Sequence, residues 1–218
     1  MIITIDGPAG SGKSTVARLL AERLDVRFLD TGAMYRAVAL AVLENGVRET
    51  DPDAVANTAA EVQLEFRDAS LIMNGRDVTA AIRSPEVTAV SSVVASNPAV
   101  RQRLVDMQRQ IGRQGSLVTE GRDQGSIVFP SAEFKFFVTA SVDARSRRRH
   151  RELVAKGSNL TLSTVRTQLE QRDERDENRE HAPMKPAPDA VIVDTSDMSI
   201  AQVVETLAAR IEKPRPAS

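Results

Sequence analysis

Cysteine and tryptophan are absent from the 218 residues, and aromatic residues make up only 3% of them. Without cysteine there is no disulfide and no thiolate metal site. Six phenylalanines and a single tyrosine leave little with which to stack bases, which argues against a single-stranded nucleic-acid binder. An excess of one charge is missing too. Lys and Arg number 29 against 30 Asp and Glu, for a formal net charge of −1, so any anion has to be recognised locally and not by a global field toward nucleic acid or membrane. No apolar run approaches membrane-spanning length, and the chain enters a strand directly instead of a charged region followed by an apolar one. A cytoplasmic protein is the expectation. No internal repeat or low-complexity tract is present, and the tail 213–218 is expected to be disordered.

What is present begins at the amino terminus. Behind the β-rich run Ile2–Ile5, residues Gly7-Pro8-Ala9-Gly10-Ser11-Gly12-Lys13-Ser14 fit the pattern G-x-x-x-x-G-K-[ST] without a mismatch, and Thr15 follows. In that pattern the glycines let backbone N–H groups turn toward phosphate oxygens, Lys13 adds charge at the outer phosphates, and the Ser14 hydroxyl can ligate Mg²⁺. Ser14–Leu24 reads as a helix, whose N-terminal dipole favours phosphate as well. The motif predicts a nucleoside triphosphate site.

Strand-like runs (Ile2–Ile5, Val26–Leu29, Ser116–Thr119, Phe134–Val138, Ala190–Val193) alternate with amphipathic stretches (Met34–Leu43, Pro98–Ile111, Leu162–Arg179, Ile200–Ile211). Alternation of this kind predicts an α/β fold with a doubly wound parallel sheet and helices on both faces. Residues 63–78 break the pattern: two short apolar runs flank polar residues, and Asn74-Gly75 is a strong turn dipeptide, so a small antiparallel insertion is expected. One domain over 1–212 is expected.

Four further segments bear on the acceptor. Leu29-Asp30-Thr31-Gly32-Ala33-Met34-Tyr35-Arg36 ends the second strand at the ligand-binding edge of such a sheet, although alone Thr31 also suits an N-cap and Arg36 a solvated helix position. Glu120-Gly121-Arg122-Asp123 brings carboxylates to the next strand end, where they can orient Mg²⁺ waters or accept hydrogen bonds; a tight surface turn is the other reading. Arg145–Arg151 is a dense basic cluster. It lacks interleaved aromatics for RNA, and arginines that neutralise a transferring phosphoryl group account for it better. On a helix, Arg172, Arg175, Asp176 and Arg179 share one face while Asp173, Glu177 and Glu180 fall on another. Guanidinium forks with one carboxylate suit a phosphate beside sugar hydroxyls, and intrahelical ion pairs are the alternative. No Asn-Lys-x-Asp guanine signature occurs, which argues against a GTPase.

With these segments together, the chain resembles the bacterial-type cytidylate kinases of the P-loop nucleoside monophosphate kinase group over essentially its whole length. The resemblance implies transfer of the γ-phosphoryl group of ATP to CMP or dCMP with Mg²⁺, in pyrimidine metabolism, by a protein expected to be monomeric and to bind neither nucleic acid nor membrane. It implies a monophosphate-binding insertion region at 45–96 and a lid at 143–160, that Gly7–Thr15 hold ATP, that Thr31, Arg36, Arg172 and Arg179 bind the CMP phosphate, and that Asp176 binds its ribose. Ser92 and Arg101, from a helical stretch Val87–Met107, would read the cytosine with Asp123. Tyr35 and Arg122 stand among the acceptor-binding residues, and Lys13, Arg145, Arg148 and Arg149 are the implied catalytic cations. Gln124 and Thr139 depart from the family, which usually has an apolar residue at the first and often an acidic one at the second. A P-loop kinase of another small acceptor, or a nucleotide-binding module without turnover, are the alternatives.

Overall fold

The elements follow one another as β1 (Ile2–Asp6), α1 (Lys13–Leu24), β2 (Arg27–Asp30), α2 (Thr31–Glu44), α3 (Pro52–Glu61), β3 (Leu64–Arg67), β4 (Ser70–Met73), β5 (Arg76–Asp77), α4 (Pro85–Val94), α5 (Pro98–Gly112), β6 (Leu117–Gly121), β7 (Phe134–Thr139), α6 (Val142–Ala155), α7 (Leu162–Glu177), β8 (Val191–Asp194) and α8 (Ile200–Glu212). These come from a computed structural model that describes residues 1–67, 70–155 and 157–212. The tail 213–218 lies outside the described residues.

β1 is buried on both faces, with Ile3, Thr4 and Ile5 fully inaccessible, as a parallel strand between helical layers should be. It is the middle of a five-stranded sheet in the order β2-β6-β1-β7-β8. Its neighbours β6 and β7 run parallel to it, with Ile3 opposite Val118 and Ile5 opposite Phe136, and β8 runs parallel to β7. The expected α/β class with a parallel sheet holds. The antiparallel insertion holds too: β3, β4 and β5 form a separate three-stranded sheet, and Asn74 and Gly75, both at positive φ, make the tight turn between its last two strands.

Two compact units divide the chain: Met1–Leu29 with Gln114–Ser218, and Asp30–Arg113. The second is wider than the 45–96 region marked off in the sequence. In the first unit α1 buries Lys13, Val16, Ala17, Leu20 and Ala21, a stripe at helical spacing, and packs with α8 over a core containing Phe136, Val138 and Leu207. In the second, α2 is buried nearly all round and α3, α4 and α5 pack against it.

Strand ends match the sequence reading within two residues, and the helices differ for local reasons. α2 begins at Thr31 and not Met34, because the Asp30 carboxylate accepts from the Ala33 amide at 2.8 Å and caps the first turn. The expected single stretch Val87–Met107 is two helices. Asn97 caps α5 through the Ala99 and Val100 amides, and Pro98 at the first turn cannot continue α4. α7 stops at Glu177, which leaves Arg179 just beyond the helix. α3 is not anticipated, and the basic cluster lies on an ordinary helix, α6. Among the described residues no helix is long and apolar enough to cross a membrane.

Candidate active site

The phosphate loop is shaped by what cannot fit inside it. A side chain on Gly7, which sits at φ 146°, would place its Cβ 2.0 Å from the Val138 carbonyl oxygen, so only glycine lets the chain leave β1 against β7. The loop closes into α1 at Lys13, whose first amides point back at the loop. Lys13 is buried. Its Nζ donates to the Pro8 carbonyl at 3.3 Å and lies 3.8 Å from the Glu120 carboxylate, which also accepts from the Ser14 hydroxyl at 2.9 Å. Glu120, near the end of β6 and absent from the expected site residues, therefore joins the two motifs. Its place in the strand-end carboxylate pair was the signal.

Positive charge is crowded here. Burial, and then the neighbouring Arg122, push the Lys13 ammonium down to about 8, with Arg172 adding to the effect and Glu120 opposing it. Arg122 Nε donates to Asp176 at 2.8 Å, and Arg179 pairs with the other oxygen of the same carboxylate. Burial of Asp176 opposes its ionisation, but Arg122, Arg179 and Arg172 outweigh it and hold the carboxyl below its usual range. Arg122, Arg172, Asp176 and Arg179 are thus brought into one cluster with the phosphate loop, whereas Arg175 is exposed.

The arginines of α6 have separate partners. Arg145 is buried and donates to the carbonyls of Ala140 at 2.9 Å and Ala9 at 3.0 Å and to the Asp173 carboxylate; Asp173 in turn accepts from the Ala9 amide at 3.2 Å. One ion pair therefore holds both polar groups of a phosphate-loop residue. The helical wheel separates Asp173 from the arginine face as expected; Asp173 itself is buried against the loop, whereas Glu177 and Glu180 on that side are exposed. Arg148 donates to the Thr195, Ser196 and Met198 carbonyls, which follow β8, and the Thr195 hydroxyl donates to the Ser11 carbonyl. Arg149 pairs with Glu152 at an exposed face. Asp173 was missed because nothing local in the sequence marks a carboxylate whose partners are 28 and 164 residues away.

After β6 the chain makes a π-helical turn, Gln124–Val128, headed by the buried Asp123. Asp6 at the end of β1 accepts from the amides of Gln124 and Gly125, both at 2.8 Å, and burial pushes its carboxyl up to about 7 although these two bonds favour the ionised form. Gln124, polar where the family usually has an apolar residue, is also buried. Its Oε1 accepts from the Thr119 hydroxyl at 2.9 Å, so the polar group is satisfied inside the fold.

In the second unit Arg36 folds back on Asp30 at 3.1 Å and keeps a buried Nε with no hydrogen-bond partner among the described residues. Thr31 is buried at the start of α2. The Arg101 guanidinium stacks over the Tyr35 ring, 5.9 Å from its centroid, so these two are brought together; Ser92 stands on α4, its hydroxyl 3.5 Å from the Ala89 carbonyl.

The family model described as cytidylate kinase matches residues 3–213. A cytidylate kinase of Syntrophotalea carbinolica is 46% identical over 95% of this chain and 90% of its own, and one of Citrifermentans bemidjiense is 42% identical over 98% and 93%. Among solved structures, an uncharacterized protein from Eubacterium ventriosum, 12% identical, superposes over 98% of this chain and 99% of its own with a TM-score of 0.54, a likeness of fold. The chain belongs to the cytidylate kinase family.

Proposed function

We propose that the protein transfers the γ-phosphoryl group of ATP to CMP or dCMP, giving ADP with CDP or dCDP, and that it does so as a cytoplasmic monomer. The observation that carries this reading is the buried Lys13 ammonium with Arg122 and Arg172 close enough to depress it, a concentration of positive charge that a polyphosphate relieves. Gly7–Thr15 hold the ATP phosphates, with Lys13 and the backbone amides at the start of α1 as donors. Mg²⁺ suits the same place, since the Ser14 hydroxyl and Glu120 carboxylate are hard oxygen donors 2.9 Å apart and would hold it. When bound, the ion neutralises charge on the outer phosphates.

On the acceptor side, Thr31, Arg36, Arg172 and Arg179 are assigned to the CMP phosphate, with Tyr35 and Arg122 among the acceptor-binding residues. The unpartnered Nε of Arg36 supports this, because a buried guanidinium N–H without an acceptor is costly unless an anion supplies one. Asp176, kept ionised by its arginines, accepts from the ribose hydroxyls. Ser92, Arg101 and Asp123 read the base, Asp123 by accepting from the cytosine 4-amino group. Arg148 and Arg149 neutralise the phosphoryl group in flight, and Arg145 works beside them through its hold on Ala9. No covalent intermediate is needed. The attacking CMP phosphate oxygen, the transferring group and the leaving ADP oxygen have only to be aligned, their charge neutralised and water kept out.

The test is ADP release at saturating ATP with CMP, dCMP, UMP, AMP, GMP and non-nucleotide hydroxyl acceptors in turn. CMP and dCMP are expected to dominate. ATP binding without acceptor-dependent turnover would make this a binding module, and turnover only with a non-nucleotide acceptor would make it another kind of kinase.

A further inference from the structure

Asp6 takes no part in the transfer chemistry outlined above, yet few carboxylates in the protein are as deeply placed. It is 3% exposed, it ends the central strand, and Gly7 of the phosphate loop is the next residue. Each of its two oxygens accepts from a different backbone amide, Gln124 to Oδ1 and Gly125 to Oδ2, both at 2.8 Å. These are the first two residues of the turn that Asp123 heads, and the carbonyl of Asp123 is held from the other side by the amides of Ile127 at 2.9 Å and Val128 at 3.2 Å. The turn has little freedom. A Cβ on Gly125 would meet the Thr4 hydroxyl oxygen at 2.8 Å and the Lys135 side chain at 3.3 Å, so a side chain there crowds the turn against β1 and β7.

We propose that Asp6 is a positioning residue for base choice: by gripping two successive amides of the turn, its carboxylate aims the Asp123 side chain at the base and ties that aim to the start of the phosphate loop. The proposal rests on the reading of Asp123 as the group that accepts from the cytosine amino function. A carboxylate is the side chain that can do this, because it offers two acceptors at this reach. Asparagine has the same shape but one acceptor, and turns an NH₂ donor toward the second amide. A tilt of the turn moves Asp123 off the line to the amino group, which matters for CMP and hardly for UMP, whose base offers an acceptor at that position.

The experiment compares wild type, Asp6→Asn, Asp123→Ala and the double variant at pH 8.5, where Asp6 is a carboxylate, by kcat/KM for CMP and for UMP, with KM for ATP and the melting temperature alongside. Asp6→Asn is expected to lower the CMP-to-UMP ratio by about tenfold while KM for ATP stays within about twofold. The double variant is expected to show the same ratio as Asp123→Ala alone, because Asp6 acts through Asp123. If Asp123→Ala lowers the ratio and Asp6→Asn does not, the positioning role is wrong and base reading by Asp123 stands. If the two effects multiply, Asp6 acts elsewhere and the proposal falls. If Asp123→Ala leaves the ratio unchanged, base reading itself is wrong and the proposal goes with it. Should Asp6→Asn fail to fold, Gly125→Ala displaces the same turn with Asp6 intact; it too should lower the ratio, and an unchanged ratio in a folded Gly125→Ala protein would overturn the proposal.

Discussion

Binding of ATP should draw a proton onto Lys13, and the amount can be worked out. In the free protein the ammonium sits at about 8 because it is buried and faces Arg122. An ordinary lysine pKa is about 10.4, and the phosphates of ATP, by supplying the missing negative charge, return Lys13 toward that value. At pH 7 about a tenth of the free protein carries neutral Lys13, and at pH 8.5 about three quarters does. Uptake on binding should accordingly rise from about 0.1 proton at pH 7 to about 0.75 at pH 8.5, and ATP affinity should fall toward tenfold per pH unit above pH 8. Calorimetric titration with a non-hydrolysable ATP analogue, in two buffers of different ionisation enthalpy at each pH, reads the proton count directly. Lys13→Met is the control and should abolish the pH 8.5 uptake. An uptake below about 0.2 proton at pH 8.5, or one of the same size in Lys13→Met, would refute the account of a cation-crowded phosphate loop.

Asp173→Ala strands the buried Arg145 and frees the Ala9 amide, so urea unfolding should show a loss of about 3–5 kcal/mol, and a loss under 1 kcal/mol would mean the pair does not hold the loop. Arg36→Ala and Arg179→Ala each remove a charge-assisted donor and should weaken CMP use about ten- to a hundredfold with ATP binding largely kept; equal weakening of both substrates in steady-state assays would remove them from the acceptor phosphate. Asp6 binds its proton with a pKa of about 7 in the folded protein against 3.8 for the group's ordinary value, so its contribution to stability is complete below pH 4 and is lost as pH rises through 7. Between pH 5 and pH 8 the unfolding free energy of Asp6→Asn should therefore improve relative to wild type by about 2–3 kcal/mol, and a difference that does not change with pH would show that burial is not raising this carboxyl.

Legibility in the sequence followed the range of the interactions. The phosphate loop, the strand before it and the helix after it are encoded within about two dozen neighbouring residues, so motif and periodicity find them. The Asn74-Gly75 turn is local in the same way, with positive φ at both residues. Caps are local as well, and α5 begins at Pro98 as read, yet Asp30 moved the start of α2 from Met34 to Thr31, because a periodic apolar pattern gives no weight to one carboxylate closing the first turn. The supports of the site were not legible. Asp6 reaches residues 118 and 119 positions away, and Asp173 grips a residue 164 positions before it, distances over which no pattern in a single sequence carries information. The side of α7 bearing Asp173 has the composition of a solvated surface, and Glu177 and Glu180 on it are exposed; only the pairing of Asp173 with Arg145 and the Ala9 amide makes that one position an interior one.

The placement of β1 in the middle of its sheet has a consequence for synthesis. The strand is made well before its neighbours, since β6 and β7 come only with residues 117–121 and 134–139, and the carbonyl of Ser11 waits for the hydroxyl of Thr195. Everything in the unit 30–113 is contiguous and can find its partners in the meantime. The nucleotide loop is therefore encoded ahead of the strands that flank it and completed only after β8, and a nascent chain released short of β8 carries every residue of the phosphate motif without the support that gives the motif its shape.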